Sequence, residues 1–352
     1  MDTMPFDTEQ PRILIVKLSA IGDVIHATPV LCALRERFPK AYLAWAVEKA
    51  GGTLLEGHRA LDELIVLPRG WLKSPKRVWQ LRRRLHGLRF DVAIDVHSLT
   101  KSAILARLSG APRRIGFGNR WGRELSPWLN NQRVDTNGPH MIEHNVGLLQ
   151  PLGIERPRIR FELPPYEAEQ ATIDQYVAET DVAQGFCLIN TGAGWPSKLW
   201  PSHRYAAVAR HLLQAWAMPS VVAWAGDEER AMAERIVAAS DGAARLAPPT
   251  TLRELACLAR RATFFIGSDT GPLHLAVAVG TPCVGLHGPW PAERHGPYGP
   301  DHIALQKMFF EGATRMRRRL PPEFMEAIVV EDVVEACDRI LGREERKKRS
   351  AA

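Results

Sequence analysis

The sequence is poor in the residues and runs that mark several large classes of protein. Its 352 residues include five cysteines, an odd number without a CxxC pair, which argues against a disulfide framework or zinc site and favours a reducing compartment. The longest apolar-rich stretch, 272–286, is interrupted by His274, Gly280 and Pro282, so no run reaches the ~18 residues that span a bilayer. The first twelve residues are acidic, unlike a signal peptide. We therefore expect a cytoplasmic protein without a membrane span.

Charge is unevenly distributed along the chain. Residues 1–165 carry 25 Lys and Arg against 16 Asp and Glu, a net charge of +9, whereas residues 166–352 carry 21 against 23, a net charge of −2. The basic half indicates an anionic partner, although a basic surface that serves only solubility gives the same count. No motif that reads RNA or DNA accompanies the charge, and the aromatic residues do not interleave with it as stacking platforms do. We expect no nucleic-acid partner.

Short apolar runs alternate with longer amphipathic stretches, a pattern typical of βαβ units in a parallel sheet. Strands are predicted at 13–16, 42–47, 64–67, 92–96, 186–190, 221–225, 264–267 and 283–286. Helices are predicted at 24–38, 76–86, 99–108, 205–216, 229–239, 252–260 and 273–279. Four prolines within 151–169 indicate a linker between two halves.

The predicted fold class is α/β, with two doubly wound, Rossmann-like parallel-sheet domains that face each other across a cleft. The first domain, 1–165, includes the linker, and the second spans 166–325. A C-terminal helix and basic tail follow at 326–352. Ligands of such sheets bind outside the carboxyl ends of the strands, so the residues that follow each strand are the candidate site residues.

The loop after the first predicted strand carries a carboxylate where a helix begins. Gly22 permits a tight turn, and Asp23 falls at or near the cap of the helix. Aspartate is a preferred capping residue, and the local sequence favours that role. A carboxylate at the mouth of a cleft is also suited to act as a general base, so both roles stay open on local grounds.

Two loops of the second half are predicted phosphate sites. In NTGAGWPSKLWP (190–201), Thr191 and Gly192 let backbone N–H groups approach a phosphate, and Lys198 supplies a cation. In GSDTGPLHLA (267–276), Thr270 and Gly271 place backbone donors at the positive end of a helix. The first of these loops, 190–201, matches neither GxxxxGK[ST] nor GxGxxG, so it is neither a P-loop nor the dinucleotide fingerprint.

Four other polar residues of the second half fit either a structural or a binding role. Asp269 either caps its helix or orients a neighbouring donor or sugar hydroxyl, and His274 fits a packed core histidine as well as a ligand contact. Asp227 and Glu228 follow a strand, as the acidic residues that bind ribose hydroxyls do. Both also suit the first turn of a helix.

A basic stretch lies in the first half. Lys73 precedes a predicted helix, Lys76 and Arg77 begin it, and Lys101 and Arg123 follow farther along the chain. Such a surface is suited to the phosphates or carboxylates of a substrate, or to anionic lipid headgroups.

Eight ordered stretches carry a further signal. They are RILIVKLSAIGDVIHATPVL, DVAIDVHSLTKSA, RRIGF, Arg123-Glu124, HMIEHNVGLL, NTGAGWPSKLWP, GDEERA and FFIGSDTGPLHLAVAVGTPCVGLHGP. In order and spacing they resemble glycosyltransferase family 9, the ADP-heptose:lipopolysaccharide heptosyltransferases, over nearly the whole chain. DVHSLTKSA and Arg123-Glu124 are more similar to heptosyltransferase I, which acts on Kdo of the inner core. The chain departs from the family at Trp290, where Thr or Ser is common.

The resemblance implies a GT-B fold whose C-terminal domain binds ADP-heptose and whose N-terminal domain binds the acceptor. Asp23 matches the aspartate of the family's GD motif, the expected general base, which makes this role the favoured one. The matching donor positions are Thr191, Lys198, Asp269, Thr270, Gly271 and His274, and the matching acceptor positions are Lys101, Arg123 and His140.

The predicted function is inverting transfer of a heptose to a Kdo-bearing acceptor in the synthesis of the lipopolysaccharide core. The expected partners are ADP-heptose, Kdo2-lipid A or a related glycolipid, and the cytoplasmic face of the inner membrane, with the protein a monomer. We expect no cofactor and no metal, because protein groups hold the diphosphate and the sequence has no Asp-x-Asp pair. The alternatives are a GT-B transferase with another nucleotide sugar or acceptor, a nucleotide-sugar epimerase, and a non-catalytic module that binds anionic membranes.

Overall fold

The computed structural model describes residue 6 and residues 8–118 and 120–351, apart from the side chains of residues 314 and 347–351. The chain forms two compact units, Met1–Pro164 and Pro165–Ala352. Their boundary falls inside the proline-rich segment 151–169. The part of the basic tail beyond Arg346 lies outside the described side chains.

The first unit is built on one sheet of six parallel strands. These are β1 Arg12–Val16, β2 Tyr42–Glu48, β3 Glu63–Leu67, β4 Val92–Asp95, β5 Arg113–Phe117 and β6 Gln132–Val134. Their order is β3-β2-β1-β4-β5-β6. In β1, Ile13 and Ile15 pack into one apolar cluster and Leu14 and Val16 into another. Both faces of the sheet are therefore covered, which explains why its central strands are continuously apolar.

Helices connect these strands in the manner of βαβ crossovers. They are α1 Ile21–Ile25, α2 Thr28–Arg37, α3 Lys49–Leu55, α4 Pro75–Gly87, α5 Thr100–Leu108, α6 Ser126–Leu129 and α7 Met141–Gly147. The single helix predicted at 24–38 is wrong, because α1 and α2 are separate helices. Pro29 lies in the first turn of α2, where its missing N–H is tolerated, whereas a continuous helix would need that donor.

The second unit repeats the same plan with six more parallel strands. These are β7 Cys187–Asn190, β8 Ser220–Ala223, β9 Ala244–Leu246, β10 Phe264–Ser268, β11 Cys283–His287 and β12 Ile303–Gln306. Their order, β12-β11-β10-β7-β8-β9, is the order of the first sheet read from its other edge. The predicted α/β class with two doubly wound parallel sheets is confirmed.

The helices of the second unit are α8 Glu167–Ala178, α9 Ser202–Trp216, α10 Gly226–Ala238, α11 Leu252–Arg261, α12 Gly271–Ala278, α13 Ala292–His295, α14 Thr314–Arg317, α15 Glu323–Glu326 and α16 Val330–Ala351. α16 packs onto the core of this unit through Val333, Ala336, Cys337 and Ile340. Their spacing places them on one face of the helix.

The five cysteines are buried free thiols. Among the described residues, no helix combines the length and the apolar character needed to cross a bilayer. In each sheet the chain reverses its direction of winding between two central strands, β1 and β4 in the first unit and β7 and β10 in the second. Ligands bind at such switch points, so the loops after these four strands define the candidate site.

Candidate functional site

An ion pair joins the two loops at the switch point of the second unit. The Lys198 ammonium donates to the Asp269 carboxylate (Oδ2) and to the Asp269 carbonyl oxygen, each at 2.7 Å. Lys198 follows β7, and Asp269 follows β10, which is the neighbour of β7 in the sheet. Nζ also lies 4.3 Å from the centre of the Trp290 ring, a cation–π distance. A cation is thus fixed at this edge of the sheet.

Asp269 is held as a carboxylate although it is buried. Burial alone would raise its pKa, but the charge of Lys198, the hydrogen bond from His274 and the neighbouring His287 together hold the pKa well below its usual range. His274 Nε2 lies 3.3 Å from Oδ1 of Asp269, so the predicted His274 is part of this network. Asp269 therefore positions the Lys198 ammonium group and the imidazole of His274.

Thr191 and Gly192 directly follow β7, the strand that pairs with β10. Thr191 is fully buried, and its hydroxyl has no hydrogen-bond partner among the described residues. The side-chain amide of Asn190 donates to the Gly192 carbonyl oxygen at 3.2 Å, which shapes the turn. A Cβ on Gly192 would collide with the Glu229 carboxylate, so the close approach of that side chain to the turn depends on glycine at this position.

The acidic residue after β8 that approaches the predicted phosphate loop is Glu229. Its Oε2 accepts from the Ala225 amide at 2.9 Å. Burial raises its pKa, and the hydrogen bond from Ala225 partly offsets this shift. Asp227 and Glu228, the two candidates from the sequence, are exposed in the first turn of α10. Their role in binding ribose remains a prediction, and Glu229 is a third candidate at the same strand end.

The start of α12 completes the second-unit site. Thr270 is the N-cap of α12, and its hydroxyl donates to the Ser268 carbonyl oxygen at 3.2 Å and not into the helix. The first N–H groups of α12, which begins at Gly271, thus stay available for an anion. The Gln306 side chain donates to the carbonyl oxygens of Gly288 and Trp290 at 2.6 and 2.7 Å, which fixes the loop that carries the Trp290 ring.

In the first unit, Asp23 lies in α1, directly after the β1 loop. Its Oδ1 is 3.4 Å from the Lys17 ammonium, and its Oδ2 accepts from the Ala20 amide at 3.3 Å. The Lys17 side chain is 5% exposed, whereas that of Asp23 is 49% exposed. Asp23 thus accepts from the backbone at the start of α1, as a capping residue does, and still presents its carboxylate to solvent. Its role as a general base remains a prediction.

His97 is a site residue that the sequence did not single out. It follows β4, is 6% exposed, and neither ring nitrogen has a hydrogen-bond partner among the described residues. Burial and the charges of Lys17 and Lys101, with that of Arg123, lower its pKa to about 3, although Asp23 opposes them. The imidazole is therefore neutral at physiological pH, within a cluster of cations.

Lys101 and Arg123 lie at the same edge of the sheet. Lys101 Nζ pairs with Oε1 of Glu48, the last residue of β2, at 2.9 Å. Arg123 donates to the His97 carbonyl oxygen at 3.3 Å and, through its amide, to the Ser98 hydroxyl at 3.2 Å. The structure thus brings Lys101, Arg123 and Asp23 together around His97.

The loop that carries His97 is held by Asp95, the buried last residue of β4. Its carboxylate accepts from the amides of His97 and Ser98 at 3.2 and 3.0 Å, from the Ser126 hydroxyl at 3.0 Å and from the Asn130 amide at 3.1 Å. Burial raises its pKa, and these hydrogen bonds oppose the shift. The carboxylate acts as an internal anchor for the loop.

The remaining acceptor-side candidates occupy two places. His140 caps α7, and its ring stacks edge-on with His26 at 5.3 Å, where His26 ends α1. It therefore lies against the helix that carries Asp23. Lys73, Lys76 and Arg77 are exposed in and just before the first turn of α4. Among the described residues, no ion pair or hydrogen bond joins these three side chains to Lys101 or Arg123, and their role in acceptor binding remains a prediction.

The residues that sequence reasoning missed share a common reason. Lys17, Glu48 and His97 each directly follow a predicted strand, which was a usable signal. Glu229 comes four residues after one, at the start of a predicted helix. Their partners, however, depend on which strands are neighbours, and the sequence did not reveal the order of the strands. Among the described residues, no three His, Cys, Asp or Glu side chains are arranged to hold a metal ion; independence from metal remains a prediction.

The sequence profile of glycosyltransferase family 9 (heptosyltransferase) matches residues 78–319. The chain belongs to glycosyltransferase family 9. This family 9 chain is 28% identical to the lipopolysaccharide core heptosyltransferase OpsX of Haemophilus influenzae, over 84% of each protein. It is 27% identical to lipopolysaccharide heptosyltransferase 1 of Pseudomonas aeruginosa, over 85% of this chain and 84% of that protein.

Solved structures show the same fold for the family 9 chain. A family 9 glycosyltransferase from Veillonella parvula matches with a TM-score of 0.83 at 22% identity, over 96% of this chain and 99% of that one. The heptosyltransferase WaaC of Escherichia coli, solved with ADP, matches with a TM-score of 0.73 at 21% identity, over 94% and 99%. The predicted GT-B fold is confirmed.

Proposed function

We propose that this family 9 glycosyltransferase transfers a heptose from ADP-heptose to a Kdo-bearing acceptor of the lipopolysaccharide inner core, with inversion at the anomeric carbon. The observation that carries the proposal is the Lys198–Asp269 pair beside the start of α12, at 2.7 Å. The pair fixes the Lys198 ammonium group, and the start of α12 adds backbone N–H groups. Together they are suited to bind a diphosphate. The names of the relatives, heptosyltransferase 1 and OpsX, support the choice of sugar and acceptor.

The donor phosphates bind in the second-unit site, formed by Thr191, Lys198, Asp269, His274 and the start of α12. An ammonium group has three donors, and Asp269 accepts two of them, so the third is left for a phosphate oxygen. The buried Thr191 hydroxyl supplies another donor. Negative charge grows on the diphosphate as the bond to the anomeric carbon breaks, and preorganised donors stabilise that charge.

The acceptor binds in the first-unit site, formed by Lys17, Asp23, His97, Lys101 and Arg123. Asp23 removes the proton of an acceptor hydroxyl as the hydroxyl oxygen attacks the anomeric carbon, and ADP leaves with the electron pair of the broken bond. Lys101 and Arg123 bind a carboxylate of the acceptor sugar. The neutral His97 offers one donor and one acceptor, which matches a sugar hydroxyl.

The proposal also covers the need for a metal or cofactor, the oligomeric state and the location of the protein. Lys198, Thr191 and the α12 amides stabilise the diphosphate, so the protein needs no metal or cofactor. It acts as a monomer in the cytoplasm, at the inner face of the inner membrane, where its lipid-linked acceptor is found.

The test measures release of ADP from ADP-heptose with and without Kdo2-lipid A. We expect release that depends on the acceptor and a heptosylated product with the opposite anomeric configuration. Acceptor-dependent turnover of a UDP- or GDP-sugar instead would identify a different GT-B transferase. Conversion of the sugar without an acceptor would identify an epimerase. No thermal stabilisation by any nucleotide would favour a non-catalytic membrane-binding module.

A further inference from the structure

A groove of about 420 Å³ lies between α4, α5 and the start of β5 in the first unit. Its lining includes Arg82 and His86 of α4, Ile104, Arg107 and Leu108 of α5, and Arg114 of β5. We call it the arginine groove. It contains three guanidinium groups and no carboxylate, above two apolar side chains.

The arginine groove is separate from the first-unit site. Arg114 is near the amino end of β5, and His86 and Arg107 are near the carboxyl ends of α4 and α5, with Arg82 one turn before His86. In a βαβ crossover the helix returns the chain to the amino edge of the sheet. Asp23 and His97, by contrast, follow the carboxyl ends of β1 and β4. The groove therefore lies at the opposite edge of the sheet and is not a part of the acceptor site.

Within the described part of the chain, the arginines of the groove have no acidic partner. Among the described residues, no carboxylate forms an ion pair with Arg82, Arg107 or Arg114, whereas Arg84 on the same helix pairs with Glu63 at 2.6 Å. Arg114 is held by the carbonyl oxygens of Ala111 and Leu129, at 3.0 and 3.2 Å.

Arg107 and Arg114 line the same groove, and burial together with the charge of Arg107 lowers the pKa of Arg114. Like charges held together without a counterion are an arrangement that a bound anion stabilises.

An exposed tryptophan on α4 favours a lipid headgroup as the source of the anion. Trp79 is 58% exposed and lies one helical turn before Arg82 and Arg83 on α4, with the Arg83 guanidinium carbon 5.7 Å from its ring centre. α4 carries five Lys and Arg residues and no acidic residue. A basic helix with an outward tryptophan is typical of a surface that lies at the headgroup level of a membrane.

We propose that the arginine groove binds the phosphate headgroup of an anionic membrane lipid, with Trp79 inserted at the bilayer interface beside it. Arg82, Arg107 and Arg114 donate to the phosphate oxygens, and Ile104 and Leu108 face the glycerol and upper acyl carbons. The inference deepens the proposed membrane association and does not depend on the proposed reaction, because lipid binding is measured without either substrate.

The experiment is co-sedimentation of the full chain with phosphatidylcholine vesicles that do or do not contain phosphatidylglycerol. The variant Arg82→Gln/Arg107→Gln removes two exposed charges of the groove. The control variant, Arg59→Gln/Arg69→Gln, removes two exposed arginines elsewhere in the same unit. We expect the groove variant to bind phosphatidylglycerol vesicles about tenfold or more weakly and the control less than about threefold more weakly. Arg82→Lys/Arg107→Lys keeps the charge and should retain most of the binding.

Each other outcome decides against the proposal. Equal losses in the groove and control variants would show that the net charge of the surface drives binding. Equal binding of vesicles with and without phosphatidylglycerol would exclude an anionic headgroup. If inorganic phosphate or glycerol 3-phosphate protects the wild type but not the groove variant against thermal unfolding while both bind vesicles equally, the groove is a site for soluble phosphates. ADP release from ADP-heptose, assayed in parallel with Kdo2-lipid A dispersed in detergent and without vesicles, tests the proposed reaction separately.

Discussion

The ammonium group of Lys198 lies 2.7 Å from a carboxylate oxygen of Asp269 and 2.7 Å from the carbonyl oxygen of the same residue. This contact joins the loops after β7 and β10, the two strands between which the second sheet reverses. The lysine is therefore ordered before a ligand arrives. A preorganised cation stabilises developing negative charge without first having to be ordered during the reaction.

Lys198→Ala should abolish most of the response to the donor nucleotide. We expect the thermal stabilisation by ADP to disappear and turnover to fall by about 10²–10³-fold, the usual effect of losing a preorganised charge-stabilising donor. The buried Asp269 also loses its cationic partner, so the unliganded protein should unfold at a lower temperature.

The matched control for this change is Lys307→Ala, which breaks another lysine–aspartate pair of the same unit, with Asp332 at 2.6 Å. It should leave the ADP response unchanged. A Lys198→Ala protein that ADP stabilises as strongly as the wild type would remove Lys198 from the donor site.

Asp23→Asn should lower turnover without changing the binding of ADP. Asparagine keeps an acceptor for the Ala20 amide but cannot take a proton, so turnover should fall by about 10²–10⁴-fold. Stabilisation by ADP should not change, because the nucleotide loops are in the second unit. The measurement is kcat together with the ADP-dependent shift in melting temperature, with Asp135→Asn, an exposed carboxylate of the first unit, as the control. Turnover near that of the wild type in a folded Asp23→Asn protein would exclude Asp23 as the general base.

The central strands were predictable because they are buried on both faces and are therefore continuous apolar runs. β1, β4, β7 and β10 are of this kind. The strands β5, β6, β9 and β12 were not predicted. β6 and β9 have only three residues each, and β5 begins with two arginines. Short or partly polar strands toward the sheet edges do not show the pattern that identifies a strand.

The loops at the strand ends were predictable in part for the same reason. Glycine, threonine and proline directly after a strand indicate a turn or a helix start wherever the strand lies in the sheet, so the loops of Thr191 and Gly271 could be located from the sequence, while their binding of phosphate remains a prediction. His97 could not, because its environment is created by Lys17 and Lys101, which come from the neighbouring strand and from the next helix. That environment depends on β1 and β4 being neighbours, a property of the whole sheet.

Gly192→Ala should weaken nucleotide binding. The added Cβ would collide with the Glu229 carboxylate, so this carboxylate has to move away from the turn and from its hydrogen bond with the Ala225 amide, at a cost of about 1 kcal/mol. Gly194→Ala is a matched control two residues away, because a Cβ there meets nothing within 4 Å. Titration calorimetry with ADP should show weaker binding for Gly192→Ala and wild-type affinity for Gly194→Ala. Equal affinities for both variants would show that the approach of Glu229 to Gly192 does not shape the nucleotide site.

His97 should make the stability of the protein dependent on pH in the acid range. Its pKa is lowered from the usual 6.5 to about 3 in the folded chain, so between these values the unfolded chain binds more protons than the folded one. The free energy of unfolding therefore decreases as the pH falls from about 6.5 towards 3.

His97→Gln replaces the imidazole with a neutral amide and removes this contribution. Between about pH 7.5 and pH 4.5, the melting temperature of His97→Gln should fall less than that of the wild type. His203→Gln, which changes an exposed histidine of the second unit, serves as the control and should follow the wild type. If His97→Gln and the wild type lose the same stability on acidification, then His97 is not held neutral among the cations of the first-unit site.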